Sequence, residues 1–420
     1  MTELGEIPSE WYIEVLGECS NVTKLAGFEF TEYMEYIDDG EIIALRALNL
    51  KNGKLNLEDI KKIDKKVSES LTRSKLYIND VLFSYVGTVG EVAVIEENDK
   101  FHLAPNVAKL TFNDSIVPKF ALQYLMSSNM RNEINKYVTT TSQPALSMEN
   151  IRKLKMIVPK KEEQEKISLI LSTVDEQIDN VDALIEKNKE LKKGLMQTLL
   201  TKGIGHTKFK KTEIGEIPEE WEVINAGRVF NIITDYVANG SFASLAENVK
   251  YKESEDFAIV VRLTDYKNEY KGPFVYVDKN AYDFLSKSKL EDNDIIIANV
   301  GAYAGYVFRA PNINKPIILG PNAILVRSEQ NREFIYYLLS SEFGQKAIKD
   351  IISTTAQPKF NKTDFKKILL PIPDLKEQYK IVSILLEIDE KTEEYEKKKQ
   401  KLEELKKGLM QQLLTGRIRV

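Results

Sequence analysis

The sequence contains little cysteine and little histidine. A single cysteine, Cys19, excludes a disulfide framework and a cluster of zinc-binding thiolates, as is usual in the reducing cytoplasm. The two histidines, His102 and His206, stand apart in the chain, so neither a Cys/His zinc site nor a Ser-His-Asp relay is predicted. We therefore expect a cytoplasmic protein without a metal, in which each histidine is an ordinary loop or surface residue.

Long apolar segments are also missing. No run of about 18 apolar residues occurs, which is the length that a membrane-spanning helix requires. The N-terminus, MTELGEIPSEW, has neither the basic start nor the apolar core of a secretory signal. We expect neither secretion nor membrane insertion.

Motifs that carry catalysis or bind cofactors are absent. The chain has no GxxxxGK[ST] phosphate loop, no GxGxxG dinucleotide motif and no Asn/Asp-Pro-Pro-Tyr tetrapeptide of amino-methyltransferases. Pro373 and Asp374, with EKK at residues 396–398, match a nuclease PD…ExK pattern, but both parts fall on a helical repeat and are expected to form a solvated helix face. We predict a chain that is not an enzyme, with no catalytic residue and no cofactor of its own.

Excess positive charge is missing as well. The 59 Lys and Arg against 64 Asp and Glu give a net charge of −5, whereas an isolated DNA-binding protein is usually basic. If DNA is the ligand, either the basic groups are concentrated on one face or partner subunits supply much of the phosphate neutralisation.

The chain is a tandem repeat. TELGEIPSEW of residues 2–11 returns 210 residues later as TEIGEIPEEW, TTSQP of residues 140–144 returns 214 residues later as TTAQP, and LKKGLMQ of residues 191–197 returns unchanged at 405–411. Residues 28–138 and 239–352 between these segments share only landmarks: Arg46 and Arg262, Asn79-Asp80 and Asn293-Asp294, Gly87 and Gly301, Pro105-Asn106 and Pro321-Asn322. A repeated scaffold with divergent inserts favours two different binding surfaces; the alternative is two drifted copies without a division of labour.

The inserts predict α+β globules. Short apolar runs bounded by glycine turns predict strands at residues 81–86, 91–95, 295–300, 306–308 and 323–326. Apolar residues spaced by three and four predict helices at residues 119–129 and 332–351.

After Pro159 and Pro373 the apolar period becomes helical for about forty residues, which would make each helix roughly 60 Å long. Asp374 and Glu377 form a pattern typical of a capping box. The predicted helix-helix seam consists of Ile167, Leu171, Val174, Ile178, Val181, Ile185, Ile381, Leu385, Ile388, Tyr395 and Leu402. Gly194 and Gly408 lie inside these helices, where each costs about 1 kcal/mol relative to Ala. We expect close approach of another helix to offset that cost; a helix end is the alternative.

These patterns together resemble the specificity subunits of type I restriction-modification enzymes over nearly the whole chain. The carriers of the resemblance are Gln143-Pro144, Pro159 with Glu163-Gln164, Gln357-Pro358 and Pro373 with Glu377-Gln378, together with the GEIPxxW segments and SYVGTVG at residues 84–90. The second turn, GAYAG at 301–305, is one residue longer than its counterpart at 87–90.

The predicted fold is therefore α+β, with two globular target-recognition domains joined by two long helices that form an antiparallel coiled coil, and with an internal pseudo-two-fold repeat. The expected boundaries are 1–158 for the first recognition domain, 159–203 for the central spacer helix, 204–372 for the second recognition domain and 373–420 for the C-terminal spacer helix.

The resemblance implies that each variable domain reads one half of a bipartite, asymmetric DNA target, while the helices set the gap between the halves. It also implies two methyltransferase subunits and two restriction and motor subunits as partners on double-stranded DNA. S-adenosylmethionine, ATP and Mg would then be needed only in those partners. The rival interpretations are a coiled-coil scaffold that does not bind DNA and a recognition subunit of another DNA-modification or phage-defence system.

Base-reading residues are harder to predict, because the side chains that contact groove edges are common on any surface. The candidates in the first domain are Arg46, Tyr85, Thr88, Lys109, Thr140, Thr141 and Gln143. The candidates in the second domain are Arg262, Asn299, Tyr303, Tyr306, Asn322, Thr355, Gln357 and Lys359. For each of them a structural turn or a solvated surface position is the alternative, and the two Gln-Pro pairs could serve chain geometry alone.

Overall fold

The computed structural model describes residues 6–139, 143–353 and 356–420. The chain divides into two compact units, of which the first comprises Met1–Ala183 and Glu396–Val420 and the second Leu184–Tyr395. Each unit therefore contains one globular region, part of the central long helix and part of the C-terminal long helix.

The first unit is built on two sheets. Its large sheet pairs Ser20–Lys24, Val107–Phe112, Val81–Ser84 and Val92–Val94 as antiparallel neighbours in that order. Its small sheet has the order Lys61–Ile63, Ile42–Leu45, Phe101–Leu103, and the last two strands are parallel. The remaining strands are Tyr12–Val15 paired with Lys155–Val158, and Leu50–Lys51 paired with Lys54–Leu55.

The helices of the globular region in the first unit are short. They are Leu16–Cys19, Gly27–Tyr33, Lys65–Ser70, Pro118–Leu125, Ser128–Asn135 and Met148–Lys153, with a 3-10 turn at Ala47–Asn49. The prediction of one helix over 119–129 is wrong, because two helices meet there. Ser127 accepts a hydrogen bond from the Met130 N–H (3.2 Å) and so starts a second helix where the first one ends.

The second unit repeats the large sheet. The strands Phe230–Asp235, Ala323–Ser328, Ile295–Ala298 and Val307–Arg309 are again antiparallel in that order. Its small sheet has four strands, in the order Val275–Val277, Ala258–Val261, Ile317–Leu319, Lys289–Leu290. Its other strands are Phe209–Thr212 paired with Gly215–Pro218, and Glu222–Asn225 paired with Leu369–Ile372.

The helices of the globular region in the second unit are Ala226–Val229, Phe242–Asn248, Leu263–Lys267, Lys279–Phe284, Arg332–Ser340, Glu342–Lys349 and Lys362–Phe365, with 3-10 turns at Tyr236–Asn239 and Ser286–Ser288. The predicted helix over 332–351 is again divided in two. Ser341 accepts from the Gly344 N–H (3.1 Å) and so interrupts the apolar period just as Ser127 does in the first unit.

Both long helices contribute their ends to the cores of the units. In the first unit Ile167 and Leu171 pack into one apolar cluster with Phe120 and with Leu413-Leu414 at the end of the C-terminal helix. In the second unit the cluster around Phe334 includes residues 199–200, at the end of the central helix, and Ile381 and Leu385, near the start of the C-terminal helix. Burial of leucine and isoleucine side chains of this kind is the main stabilising term of a helix that has few apolar residues.

The long helices extend over Lys161–Lys202 and Leu375–Leu413, and they pack together as a coiled coil. In the first unit Asp175 pairs with Lys406 at 2.6 Å and Asp182 with Lys399 at 2.7 Å. Residue numbers on the C-terminal helix therefore fall as those on the central helix rise, which means that the two helices run antiparallel. In the second unit Lys192 pairs with Asp389. Of the predicted seam, Ile167, Leu171, Val174, Val181, Ile185, Ile381 and Leu385 are buried, and Ile178, Ile388, Tyr395 and Leu402 are partly buried.

Gly194 and Gly408 do not lie where another helix approaches, so that prediction is wrong. A Cβ added to either glycine would meet no described atom within 4 Å, and both positions are exposed. The alternative of a helix end fails too, since the helices continue to Lys202 and Leu413. Within the described chain nothing offsets the cost of these two glycines.

A repeated contact fixes the start of each long helix. In the first unit the Trp11 indole N–H donates to the Glu163 carboxylate at 3.0 Å, and in the second unit the Trp221 indole donates to Glu377 at 2.9 Å. The GEIPxxW segments and the helix-start glutamates therefore owe their recurrence to a structural contact.

The other groups on these two glutamates differ. Arg419 donates twice to Glu163, at 2.6 and 2.9 Å, whereas His206 Nε2 lies 2.9 Å from a Glu377 oxygen. Asp374 accepts from the Glu377 N–H at 2.7 Å, as a capping box requires, but the Glu377 carboxylate is engaged by Trp221 and His206. Only one half of the predicted box is formed.

The glutamines that follow tie each helix to its globular region. Gln164 accepts from the Val117 N–H at 2.8 Å and donates to the Pro159 carbonyl at 3.0 Å. Gln378 accepts from the Asn331 N–H at 2.9 Å and donates to the Pro373 carbonyl at 2.8 Å. Both glutamines are fully buried, so the repeated Pro-x-x-x-Glu-Gln motif acts as a mounting device in each unit.

His206 lies in a loop, as expected, whereas His102 differs from the expectation of an ordinary loop or surface position. His102 is fully buried in the strand Phe101–Leu103, between the hydroxyls of Ser68 and Ser74 at 2.9 and 3.0 Å. Burial lowers the pKa of His102 to about 4, so this ring is neutral and structural.

No helix in the described part of the chain has the length and apolarity needed to cross a membrane.

Candidate nucleic-acid interface

Three of the repeated landmarks meet at one end of the large sheet in the first unit. We call residues 84–90 the first glycine turn and residues 143–146 the first Gln-Pro segment. The Gly87 N–H donates to the Pro144 carbonyl at 2.9 Å, and the Leu146 N–H donates to the Tyr85 carbonyl at 2.8 Å. The Tyr85 N–H in turn donates to the Asn106 carbonyl at 3.0 Å. Turn, segment and sheet are thus held together by backbone bonds.

The second unit has the same arrangement, in the second glycine turn at residues 298–305 and the second Gln-Pro segment at residues 357–360. The Gly301 N–H donates to the Pro358 carbonyl at 2.8 Å, and the Phe360 N–H donates to the Asn299 carbonyl at 3.1 Å. The Asn299 N–H donates to the Asn322 carbonyl at 3.0 Å. The two Gln-Pro segments therefore serve chain geometry in both units.

Two glycines in each turn are required by the backbone conformation. Gly87 and Gly301 have φ of +81° and +93°, and Gly90 and Gly305 both have +93°, a region that L side chains rarely adopt. The Gly90 N–H donates to the Ser84 carbonyl at 2.9 Å and the Gly305 N–H to the Ala298 carbonyl at 2.7 Å. The extra residue of the second turn is therefore accommodated without changing how the turn closes.

The side chains that the first turn presents are small or partly buried. Thr88 is exposed at the turn, and its carbonyl accepts from the Ser84 hydroxyl. Tyr85 is partly buried, with the Lys24 ammonium 5.7 Å from its ring centre, and burial raises the pKa of Tyr85. Gln143 is exposed at the start of the first Gln-Pro segment.

The second turn is aromatic. Tyr303 and Tyr306 are exposed, with 55 % and 39 % of their surface accessible, and Gln357 and Lys359 are exposed on the adjoining segment. The Lys267 ammonium lies against the Tyr303 ring, and its hydrogen bond lowers the pKa of Tyr303. Four of the predicted residues thus share one surface with hydroxyl, amide and ammonium groups that can contact DNA.

Four other predicted residues are engaged by other groups of their own unit. Arg46 donates to Asp59 at 2.9 Å, and Arg262 forms a two-point pair with Asp265 at 2.7 and 2.9 Å. Lys109 is buried and donates to the Lys75 carbonyl at 2.8 Å, with Asp80 3.8 Å away. Asn299 is partly buried and its amide donates to the Phe360 carbonyl at 3.3 Å.

Of the remaining candidates, Asn322 is exposed at a turn with φ of +65°, which asparagine tolerates better than most residues. Thr140, Thr141 and Thr355 lie outside the described residues. Lys24 and Lys267 were missed as members of these surfaces. No sequence signal points to them, because each reaches its turn from an element far away in the chain.

The described residues include no group of three or more His, Cys, Asp and Glu side chains that could hold a metal ion.

Comparison with known proteins gives a consistent result. Residues 8–192 and 218–406 each match the family model of the type I restriction modification DNA specificity domain. A Methanocaldococcus jannaschii protein named as the type I restriction enzyme MjaX specificity subunit is 30 % identical over 100 % of this chain and 96 % of its own length. The MjaVIII specificity subunit of the same organism is 30 % identical over 81 % of this chain and 80 % of its own.

Solved structures share the fold. The S subunit of a type I restriction-modification system from M. genitalium aligns with a TM-score of 0.56 at 18 % identity, over 98 % of this chain and 99 % of that one. A chain from a structure of type I R-M complex assembly and conformational transition also aligns with a TM-score of 0.56, at 16 % identity, over 99 % of this chain and 100 % of that one. At these identities the likeness establishes a common architecture.

Proposed function

The chain belongs to the family of type I restriction-modification DNA specificity subunits, and from this premise we propose that each unit reads one half of a bipartite, asymmetric DNA target. Specificity subunits of this family are non-catalytic, so the chain directs chemistry that partner subunits perform. We place its action in the cytoplasm, where such complexes meet DNA.

One observation carries the division of labour between the units. The backbone bonds that hold the glycine turn, the Gln-Pro segment and the large sheet are the same in both units, while the exposed side chains differ. The same backbone support with different exposed side chains is what two domains that recognise different DNA sequences need. Two drifted copies with one shared task would be expected to keep the displayed side chains.

The displayed groups suit groove reading. Gln143 and Gln357 offer an amide that can bind adenine at two points, and Thr88 offers a hydroxyl and a methyl group. Lys359 and Lys267 carry ammonium groups, which can contact phosphate or guanine. The four engaged residues, Arg46, Lys109, Arg262 and Asn299, act in our proposal through the shape of the fold rather than by contact with bases.

The long helices set the gap between the half-targets and dock two methyltransferase subunits. LKKGLMQ is identical in the two helices, and it exposes a leucine in each: Leu191 and Leu405 are both 50 % accessible. Next to these leucines, Gly194 and Gly408 leave room for close approach of a partner, since an added Cβ would meet no described atom within 4 Å. Two equal faces are matched by two equal partners.

The partners complete the chemistry and the charge. Methyltransferase subunits would use S-adenosylmethionine to methylate adenine, and two restriction and motor subunits would use ATP and Mg. Because this chain carries a net charge of −5, we expect the partners to provide most of the positive charge that embraces the phosphates.

The test is methylome sequencing of cells that express this chain with its methyltransferase partner, compared with cells that express the partner alone. The proposal expects one split, adenine-methylated motif that depends on the chain. A methylome that does not change with the chain, in cells where the complex is shown to assemble, would refute the specificity role. Preferential binding of the complex to the motif over a scrambled duplex separates this role from that of a protein scaffold, because phosphate contacts by the partners are independent of sequence.

A further inference from the structure

The second glycine turn presents Tyr303 on a rigid support. The Ala304 N–H donates to the Gly301 carbonyl at 2.9 Å and the Tyr306 N–H donates to the Tyr303 carbonyl at 3.0 Å, in addition to the bonds that close the turn. Ala302 and Ala304 on either side have no bulk that could cover the ring. The tyrosine backbone is thus fixed while its ring stays 55 % exposed, so ordering the ring on a ligand costs little entropy.

The short helix Leu263–Lys267 supports this turn from the side. Tyr266 packs its ring 6.0 Å from Tyr306 and 5.5 Å from the fully buried Phe308, which anchors the aromatic cluster in the core. Lys267, the next residue, holds its ammonium against the Tyr303 ring. An exposed aromatic ring beside a cation, on a rigid base, is the combination that proteins use to stack an unpaired nucleobase and hold its phosphate.

Among the described residues, the first glycine turn and the first Gln-Pro segment present no exposed aromatic ring. At the corresponding turn Thr88 is the exposed residue, and Val89 packs against the apolar core. Of the two described glycine turns, the second alone therefore carries the aromatic platform, which is not part of the shared backbone arrangement.

We propose that Tyr303 stacks on one nucleobase that is displaced from the helical stack in the second half-target, with Lys267 on the adjoining phosphate. This inference rests on the proposed function, since it needs the second unit to lie against duplex DNA. It assigns the second half-target a displaced base that the recognition unit itself holds by stacking. Part of its specificity is then the ease of unstacking one base.

The test uses the full chain assembled with its methyltransferase partner and a duplex that carries the methylated motif. Tyr303→Ala should weaken binding about 5- to 100-fold, the range found when one stacking aromatic is removed, and Tyr303→Phe should stay within about twofold. Phe242→Ala is the matched control, because Phe242 is 81 % exposed in the same unit but lies outside the platform. It should bind like the unchanged chain.

A series of duplexes with single abasic sites across the second half-target then locates the base. At one position the removal of the base should abolish the difference between the unchanged chain and Tyr303→Ala, because no base is left to stack. A penalty that persists at every position, equal losses for the Phe and Ala variants, or no loss in Tyr303→Ala would overturn the inference. If the unchanged complex does not prefer the motif over a scrambled duplex, the proposed function itself fails.

Discussion

The two glycine turns have the same backbone and different surfaces. In both units a positive-φ glycine donates to the carbonyl of the proline in the Gln-Pro segment, at 2.9 Å in the first and 2.8 Å in the second. The first turn displays Thr88, whereas the second displays Tyr303 and Tyr306. At the turns, the positive-φ glycines recur between the copies, whereas the outward-facing Thr88 and Tyr303 differ. We infer that these recurring glycines support the turns and that the divergent side chains take part in recognition.

The two units can also be compared in their apolar cores, where a substitution should have the largest effect on stability. Phe120 and Phe334 are equivalent, fully buried residues of the first and second clusters. Replacing either by Ala should lower the free energy of unfolding of its own unit by about 3–5 kcal/mol, through lost burial and the cavity left behind.

Unfolding of each unit can be followed separately by tryptophan fluorescence, because the chain has two tryptophans, Trp11 in the first unit and Trp221 in the second. In a Trp221→Phe background the denaturant transition of Trp11 fluorescence should shift with Phe120→Ala much more than with Phe334→Ala. Equal shifts would mean that the units unfold as one body and that the comparison of two separate modules is wrong.

The helix starts offer the next test, because the two equivalent glutamates have different partners. Burial acts to raise the pKa of Glu163, but hydrogen bonds from Arg419 and Trp11 outweigh it and leave the pKa below its ordinary value. A lowered folded-state pKa contributes stability that is present above the unfolded pKa, and this contribution is lost as pH falls through the folded value. Glu163→Gln should therefore cost about 2 kcal/mol at pH 7 and should flatten the loss of stability of the first unit in acid below about pH 4.5.

The measurement is urea unfolding at a series of pH values, followed by Trp11 fluorescence in the Trp221→Phe background. Arg419→Met serves as the partner control, since it removes the charge that lowers the carboxyl pKa and keeps the Trp11 contact. An unchanged pH profile in Glu163→Gln would show that this carboxylate is not the linked group.

Removal of the displayed glutamine from one unit at a time should show whether the two units contact different halves of the DNA target. Gln143→Ala should weaken binding about tenfold through the first half-target alone, and Gln357→Ala should do so through the second half-target alone, since a lost two-point contact discriminates by about 1–3 kcal/mol. Competition with duplexes in which one half is scrambled measures each half separately. A variant that weakens both halves equally would argue that the Gln-Pro segments only support the fold.

The smallest effect is expected at the two helix glycines, where the units should respond alike. Because an added Cβ meets no described atom, Gly194→Ala and Gly408→Ala should each stabilise the free chain by about 1 kcal/mol in denaturant unfolding. Assembly with the methyltransferase subunit, measured by calorimetric titration, should weaken in both variants if these faces dock the partner. Stabilisation with unaltered assembly would place the docking surface elsewhere on the helices.

Much of the fold could be predicted from the sequence because it depends on period and repetition. The long helices, the α+β class and the large-sheet strands follow from apolar spacing, and the family and structural comparisons confirm the fold class. The division of two predicted helices was missed because the helical spacing of apolar residues continues on both sides of Ser127 and Ser341. The hydroxyl of each serine nevertheless caps a new helix. Apolar period does not register a cap of this kind.

The surfaces were predictable only in part. Thr88, Tyr303, Tyr306 and Gln357 are exposed where the turns meet the Gln-Pro segments, so they stay candidates for contact with DNA. Lys109 was chosen for its charge, yet Asp80 and the Lys75 carbonyl, which are distant in sequence, draw it into the fold. Lys267 was overlooked for the same reason, since its place beside Tyr303 depends on tertiary contacts. Charge can be read from a sequence, but its availability cannot.

The most direct test of the central claim replaces residues 28–138 with residues 239–352 and sequences the methylome of cells that carry this chain with its methyltransferase partner. The two regions are held by the same repeated segments, so the chimera should assemble. If each region reads its own half-target, methylation should move to a motif made of two copies of the second half-target. Retention of the original asymmetric motif by an assembled, active chimera would contradict the account.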